Sequence, residues 1–437
     1  MSNRVAASSL AAQIDAAART VEAQVITWRR DLHANPELGN REFRTSAIVA
    51  EHLRRLGFDE VRTGVAHTGV VGLLKGALPG PVVALRADMD GLPVTEEVDV
   101  PFASKVRATW NGEQVGVMHA CGHDTHTAIL MGVAAVFAGL RANLRGSVKF
   151  VFQPAEELPP EGEEGGAEMM IKEGALENPK PRAIFGLHVV SRLPLGVIGY
   201  RSGPTMASSD RLKITVEGRQ THGAMPWLGV DPVVTAAQVV LGLQTIVSRQ
   251  LDITKEPAVV TIGMIRGGVR ENIIPDSVEM RGTIRTFDEA MRDDTHERVT
   301  YLAEAISRGS HAGCKVCITK HYPVTVNDPA LMEAMVPTLR RVVGAERLHN
   351  MHKVTGSEDF SFFQRVVPGV FVFLGGTPPG VDVDKAAPNH SPRFYVDERC
   401  LVIGVRALAL LASDFLESGW APAEKAATQA LETEAGH

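Results

Sequence analysis

Residues 148–157 read VKFVFQPAEE. Val148–Phe152 is a strand-length apolar run, closed by Gln153 and Pro154 and followed at once by two carboxylates, Glu156 and Glu157. Three more runs share that length and punctuation: Val82–Leu85, Ala183–Leu187 and Val370–Leu374. Stretches with helical spacing lie between several of them. Ile14, Ala17, Val21, Val25, Trp28 and Leu32 make one apolar stripe at three- and four-residue steps, which predicts a helix from about Leu10 to Leu32. A second helix is expected from about Thr45 to Leu56, stopped by Gly57. Strands alternating with helices predict an α/β domain whose mixed, largely parallel sheet is flanked by helices.

Residues 205–321 have a different rhythm. Leu212, Ile214 and Val216 alternate, as do Val260, Ile262 and Met264, and Val278 and Met280 with Ile284 beyond. Asp231-Pro232 is a helix start, with Asp as N-cap and Pro in the first turn. Asp288 caps a second helix, and Val316 and Ile318 close the unit as a strand. The order β-α-β-β-α-β is the ferredoxin-like pattern. The expected division is therefore 1–204, an inserted 205–321, and 322–437, with helices near 329–342, 358–365 and 397–417 completing the first domain. Residues 421–437 have the composition of a frayed tail.

Composition sets outer bounds. With 437 residues, two domains are expected; 44% apolar and 22% charged residues allow a large core. A net charge of −6 argues against a nucleic-acid partner. No run approaches the ~18 apolar residues of a membrane helix, and MSNRVAASSLAAQIDAAART lacks the apolar core of a signal peptide. Cys121, Cys314, Cys317 and Cys400 are too few for a disulfide framework, so a cytoplasmic setting is expected.

The densest chemistry is His119-Ala-Cys121-Gly-His123-Asp124-Thr-His126, ahead of an apolar helical stretch from Ala128 to Leu140. Thiolate and imidazole both ligate zinc-like ions. If the segment is extended, Cys121 and His123 point the same way. Asp124 is placed to orient an imidazole or to start the helix. The bland alternative is a capping loop with a buried cysteine. Glu156 and Glu157 leave a strand end, where ligands gather in open α/β sheets. One can bind a metal while the other faces water, or both belong to a solvated acidic loop, as the following EGEEGG allows. Adjacent carboxylates are costly unless a cation is near or one is protonated. His188, expected at a strand end, and His390, in Pro388-Asn-His390-Ser-Pro, are each weak alone. In Arg86-Ala-Asp88-Met-Asp90 the carboxylates are either turn chemistry or supports for ligating imidazoles.

Together these motifs resemble the aminoacylase and carboxypeptidase-like family of metal-dependent amidohydrolases, in the branch of hippurate hydrolases, N-acyl-amino-acid amidohydrolases and auxin-conjugate hydrolases. RRDLHANPELGNREFRT, RADMDGLP, MHACGHDTH, FQPAEE, GLH, HGAMP, GVDP, NIIPD, GSEDF and NHSP occur in the family's order across nearly the whole chain. The resemblance implies two divalent metal ions, zinc or manganese, held by Cys121, His123, Glu157, His188 and His390. It implies Glu156 as general base, and His222 of HGAMP and Asn272 of NIIPD as substrate-binding residues. It also implies a homodimer or larger homo-oligomer formed through the inserted domain, and an N-acyl amino acid or amide conjugate as substrate. Trp227 departs from the family, where many relatives carry His; it alters the pocket or packs in an interface.

Two alternatives use other chemistry or other substrates. One is a dipeptidase or carboxypeptidase with the same metals. The other is a thiol redox protein built on Cys314-Lys-Val-Cys317, but in a strand residues three apart face opposite ways, which disfavours a pair. A silent binding protein would be expected to lack Glu156 or a ligand, and all are present.

Overall fold

The computed structural model describes residues 9–157 and 159–420, so the expected tail at 421–437 lies outside the described residues. The chain gathers into two compact units. One takes the chain up to Tyr200, Asp328–Asn350 and the chain from Arg365 onward; the other takes Arg201–Asn327 and Met351–Gln364. The expected division at 205 and 321 thus differs by a few residues at each edge. It also assigned 351–364 to the first domain, whereas that segment packs with the second unit: the backbone N–H of Ala207 donates to Val354 and Gly356 oxygens at 3.1 and 3.0 Å.

The first unit is built on an eight-stranded sheet in the order Glu60–Val65, Gly69–Lys75, Arg145–Gln153, Leu78–Asp88, Ala183–Pro194, Gly369–Thr377, Ile198–Tyr200, Leu348–Asn350. Its centre is parallel, Arg145–Gln153 to Leu78–Asp88 to Ala183–Pro194 to Gly369–Thr377, and antiparallel pairings flank it. Each apolar run read in the sequence lies in one of these four strands, buried on both faces as parallel strands are. Helix α1 is Leu10–Ala34, started by Ser9, whose hydroxyl oxygen accepts from the Ala12 amide. Helix α2 is Phe43–Arg55 and α3 is His123–Gly139. Nearly every residue of α3 is buried, as expected of a helix apolar on all sides. A Cβ at Gly132 would sit 2.7 Å from Val25 and 2.9 Å from Val405, so glycine lets α1 and the Cys400–Ser418 helix close on α3. Among the described residues no helix is long and apolar enough to cross a membrane.

The second unit has a four-stranded antiparallel sheet in the order Ala258–Gly267, Ser277–Thr286, Asp210–Glu217, Gly313–Lys320. Helices Pro232–Thr245 and Glu289–Gly309 share its core through Ala236, Val239, Leu243, Val299 and Ala303. Both N-caps work as read: Asp231 accepts from Val233 and Val234 amides, and Asp288 from Met291. Cys314 is half-buried and Cys317 exposed, on opposite faces of their strand, and neither is in a disulfide.

Candidate metal centre

All the predicted ligands belong to the first unit. Cys121 and His123 are not aligned by an extended backbone, as the spacing alone led us to expect. Gly122 between them has φ +91°, and His123 is already the first residue of α3. The left-handed turn is specific to glycine here, since a Cβ would lie 2.3 Å from Val189. His188 is also not at a strand end; its strand continues to Pro194. His390 stands in the loop after Gly369–Thr377, in a left-handed conformation at φ +70°, where a non-glycine residue costs roughly 1–3 kcal/mol. Two contacts hold it there. Its own N–H donates to Ala120 O at 2.7 Å, and Asn389 Nδ2 donates to Cys121 O and Val189 O, each at 3.1 Å. Asn389 therefore joins the three ligand segments.

The donor atoms converge. Cys121 Sγ is 3.3 Å from His188 Nε2 and 3.2 Å from His390 Nε2. His390 Nε2 is 2.9 Å from Glu157 Oε1. Cys121, His123 and His188 form one donor triad, and Cys121, Glu157 and His390 another, with the thiol common to both. His123, Glu156 and Glu157 form a third. His123 Nε2 is buried without a hydrogen-bond partner among the described residues. It faces Asp88 Oδ2 at 3.8 Å, Glu156 Oε2 at 3.9 Å and Glu157 Oε1 at 4.0 Å. An orphaned imidazole nitrogen ringed by carboxylate oxygens, beside a thiol shared by two triads, fits divalent cations of the zinc or manganese kind.

The imidazoles are anchored from behind, as metal-ligating histidines are. His123 Nδ1 meets Asp90 Oδ1 at 3.1 Å, and His188 Nδ1 donates to Val189 O at 2.8 Å. Asp88 does not hold one of the predicted ligands directly. Its Oδ1 lies 2.6 Å from His126 Nδ1, and its Oδ2 accepts from Arg86 at 2.7 Å. His126 Nε2 in turn accepts from the Val189 amide at 2.8 Å, beside His188. His126 and Asn389 stand within the quoted motifs, but nothing in the sequence marks either as a support.

Burial and charge set the protonation of the site. Burial pushes the Cys121 thiol well up, reinforced by Glu157 and Glu156. Burial, with His126 nearby, pulls His188 down to about 3. Burial also opposes charge on His123, but Asp88 and Asp90 outweigh it and raise it to about 10. Burial would raise Glu157, yet its bond from His390 holds it below its usual range.

The remaining predicted residues lie in the second unit. Thr221–His222 pairs with Ile273–Ile274, and the Gly223 amide donates to Asn272 O at 2.8 Å, so His222 and Asn272 are exposed neighbours. Trp227, in the turn Pro226–Leu228, is 73% exposed.

Known proteins resemble this chain over most of its length. Thermostable carboxypeptidase 2 of Saccharolobus solfataricus is 41% identical over 401 residues, 91% of this chain and 96% of that protein. N-acetylcysteine deacetylase of Bacillus subtilis is 37% identical over 90% of this chain and 97% of that one. The crystal structure of a dinuclear metal binding peptidase from the M20 family, also of B. subtilis, superposes with a TM-score of 0.75 at 34% identity, covering 91% of this chain and 99% of that one. Residues 84–414, which include Cys121, the paired glutamates, His188 and His390, match the family described as Peptidase family M20/M25/M40, and the chain belongs to it.

Proposed function

We propose that this chain hydrolyses the amide bond of N-acyl amino acids or related small amide conjugates, using a pair of zinc or manganese ions. The reading rests on one observation above all: the Cys121 thiol is shared by two donor triads, with the Glu156 carboxylate beside the orphaned His123 Nε2. Cys121, His123, Glu157, His188 and His390 would hold the ions. When bound, such ions acidify water and polarise a carbonyl. Glu156 takes a proton from water as its oxygen attacks the amide carbon, and returns that proton to the nitrogen as the C–N bond breaks. Asp90 supports this step twice, orienting His123 and accepting from the amides of Glu156 and Glu157 at 3.1 and 2.9 Å. His222 and Asn272 are assigned to substrate binding, on their adjacency and exposure.

The assembly we propose is a homodimer or higher homo-oligomer formed through the second unit. The helix Pro232–Thr245 exposes Val234, Ala237 and Leu241 at helical spacing while its other face fills the core, and Trp227 adds to the exposed apolar surface. Four free cysteines fit a reducing, cytoplasmic setting.

Glu156→Gln is expected to abolish turnover at normal metal content, and Cys121→Ala to lower metal content itself. Turnover retained in Glu156→Gln would reject the base assignment. A panel of N-acetyl, N-benzoyl and indole-acetyl amino acids against dipeptides and longer peptides decides the substrate class. Carboxypeptidase action is the second reading, favoured by the 41% identity to a thermostable carboxypeptidase; preference for peptides would establish it.

A further inference from the structure

Glu42 is completely buried, in the N-cap position of α2, yet its side chain caps nothing there. Glu37 does that work instead: the amides of Arg44 and Thr45 donate to its two carboxylate oxygens at 2.9 and 2.8 Å. Glu42 is thereby released to face away from its own helix. Its Oε1 accepts from the amide of Ala155 at 2.8 Å, and its Oε2 lies 2.5 Å from the Thr68 hydroxyl. The next two amides, of Glu156 and Glu157, are those held by Asp90. Three consecutive N–H groups of the paired-glutamate loop are thus held by two buried carboxylates.

The first of these bonds fixes an unusual backbone. Ala155 has φ +50°, a region that residues with a Cβ avoid, and nothing in an alanine side chain favours it. Ala155 and Glu42 are both sealed from water, so no solvent molecule replaces the bond if it is lost. The same short segment grips the far side of the loop, where Asn40 Nδ2 donates to Glu163 Oε2 and Glu164 O at 3.1 and 3.0 Å.

We propose that Glu42 is a positioning residue for amide hydrolysis: by holding the Ala155 amide it keeps that residue left-handed and so aims the carboxylate of Glu156. This rests on the reading of Glu156 as the base. The bond to Ala155 is indifferent to the protonation of Glu42. The ionised group accepts from Thr68, the protonated group donates to it through Oε2, and Oε1 accepts from Ala155 either way. Glutamine can reproduce both contacts, with Oε1 toward Ala155 and Nε2–H toward Thr68, whereas alanine reproduces neither.

The test is steady-state kinetics of the metal-loaded enzyme on its best N-acyl amino acid, with metal content measured on the same samples. Glu42→Ala is expected to lower kcat about 100-fold, the scale of a misplacement of about 1 Å, with KM and metal stoichiometry close to wild type. Glu42→Gln is expected to keep kcat within about threefold. A fold defect alone lowers apparent kcat by emptying the folded fraction, and metal content per chain falls with it, so a low kcat at wild-type metal stoichiometry excludes that explanation. If Glu42→Ala does not fold, Glu42→Met, which fills the volume without an acceptor, carries the same expectation. Folded Glu42→Ala or Glu42→Met with wild-type kcat overturns the proposal, and so does a loss in Glu42→Gln as deep as in Glu42→Ala. Glu156→Gln runs alongside. If it is inactive while Glu42→Ala is not, only the positioning role fails; if it is active, the base reading fails first.

Discussion

The proposed ligand His123 opens α3, so whatever anchors the start of that helix anchors the candidate metal centre. Asp124, the next residue, is fully buried. Its Oδ2 lies 2.9 Å from Arg29 Nε and 2.8 Å from His33 Nδ1, both on α1. His33 continues to Glu96 through Nε2 at 3.1 Å. Asp124→Asn keeps the shape and removes the charge, leaving the Arg29 guanidinium in the core. Breaking a buried pair from one side costs about 3–5 kcal/mol, because the remaining charge is uncompensated. Glu398, 3.4 Å from Arg29 Nη1, supplies part of the missing counter-charge, which places the expectation at the lower end, about 3 kcal/mol. The assay is urea unfolding at fixed, saturating metal, followed by tryptophan fluorescence in a Trp227→Phe background. The remaining tryptophans, Trp28, Trp110 and Trp420, all lie in the first unit, so the signal reports that unit. The double change Arg29→Met with Asp124→Leu removes both charges and is expected to recover at least half of the loss. An Asp124→Asn protein within about 0.5 kcal/mol of wild type would refute the reasoning, since that is the range of ordinary surface substitutions.

Two further expectations concern the second unit. Burial there would raise the Asp210 carboxyl, but its bonds from His296 and Arg292 hold it below the usual range. A depressed carboxyl contributes stability that is fully present above its unfolded value, near 3.9, and is lost as pH falls through its folded value. The stability difference between wild type and Asp210→Asn, read by circular dichroism from about pH 5 to pH 2, is therefore expected to shrink in acid; a difference independent of pH there would sink the assignment. Placing charges on the exposed helix face, Val234→Glu with Leu241→Glu, is expected to lower the oligomeric state measured by light scattering, and a wild-type chain that is already monomeric ends that proposal.

The residues of the candidate metal centre were legible in the sequence because their chemistry is rare in bland loops. A thiol, imidazoles and paired carboxylates stand out by type, and four apolar runs placed the strands that carry or precede them. Their supports were not legible, because any polar residue can serve as one and the partners are far apart in the chain. Glu42 and Ala155 are 113 residues apart, and Asn389 and Cys121 are 268 apart. The backbone at Cys121–His123 was misread for a related reason. Period-two spacing implies an extended chain, and only the pocket behind Gly122, where Val189 excludes a Cβ, shows that the turn must be left-handed. The segment 351–364 carries no shift of composition to reveal that it packs with the second unit.

Two further positions invisible in the sequence bear on how the site works. Ala155 and His390 both adopt φ values that their side chains do not favour, and each lies in or beside the candidate metal centre. Local sequence can only report local preference, so a residue held against its preference is invisible until its captors are seen. At His390 the captors are Ala120 O and the Asn389 amide; at Ala155 the captor is Glu42. Each captor is itself buried or fastened to a neighbouring ligand segment, so the strain is borne by the packed first unit rather than by the loop. That arrangement explains how Glu156 and Glu157, adjacent carboxylates soon followed by EGEEGG, can be held at a fixed aim. The precision of the site is thus supplied by residues with no chemistry of their own in the reaction, and it is there, more than at the ligands, that substitutions should separate kcat from metal binding.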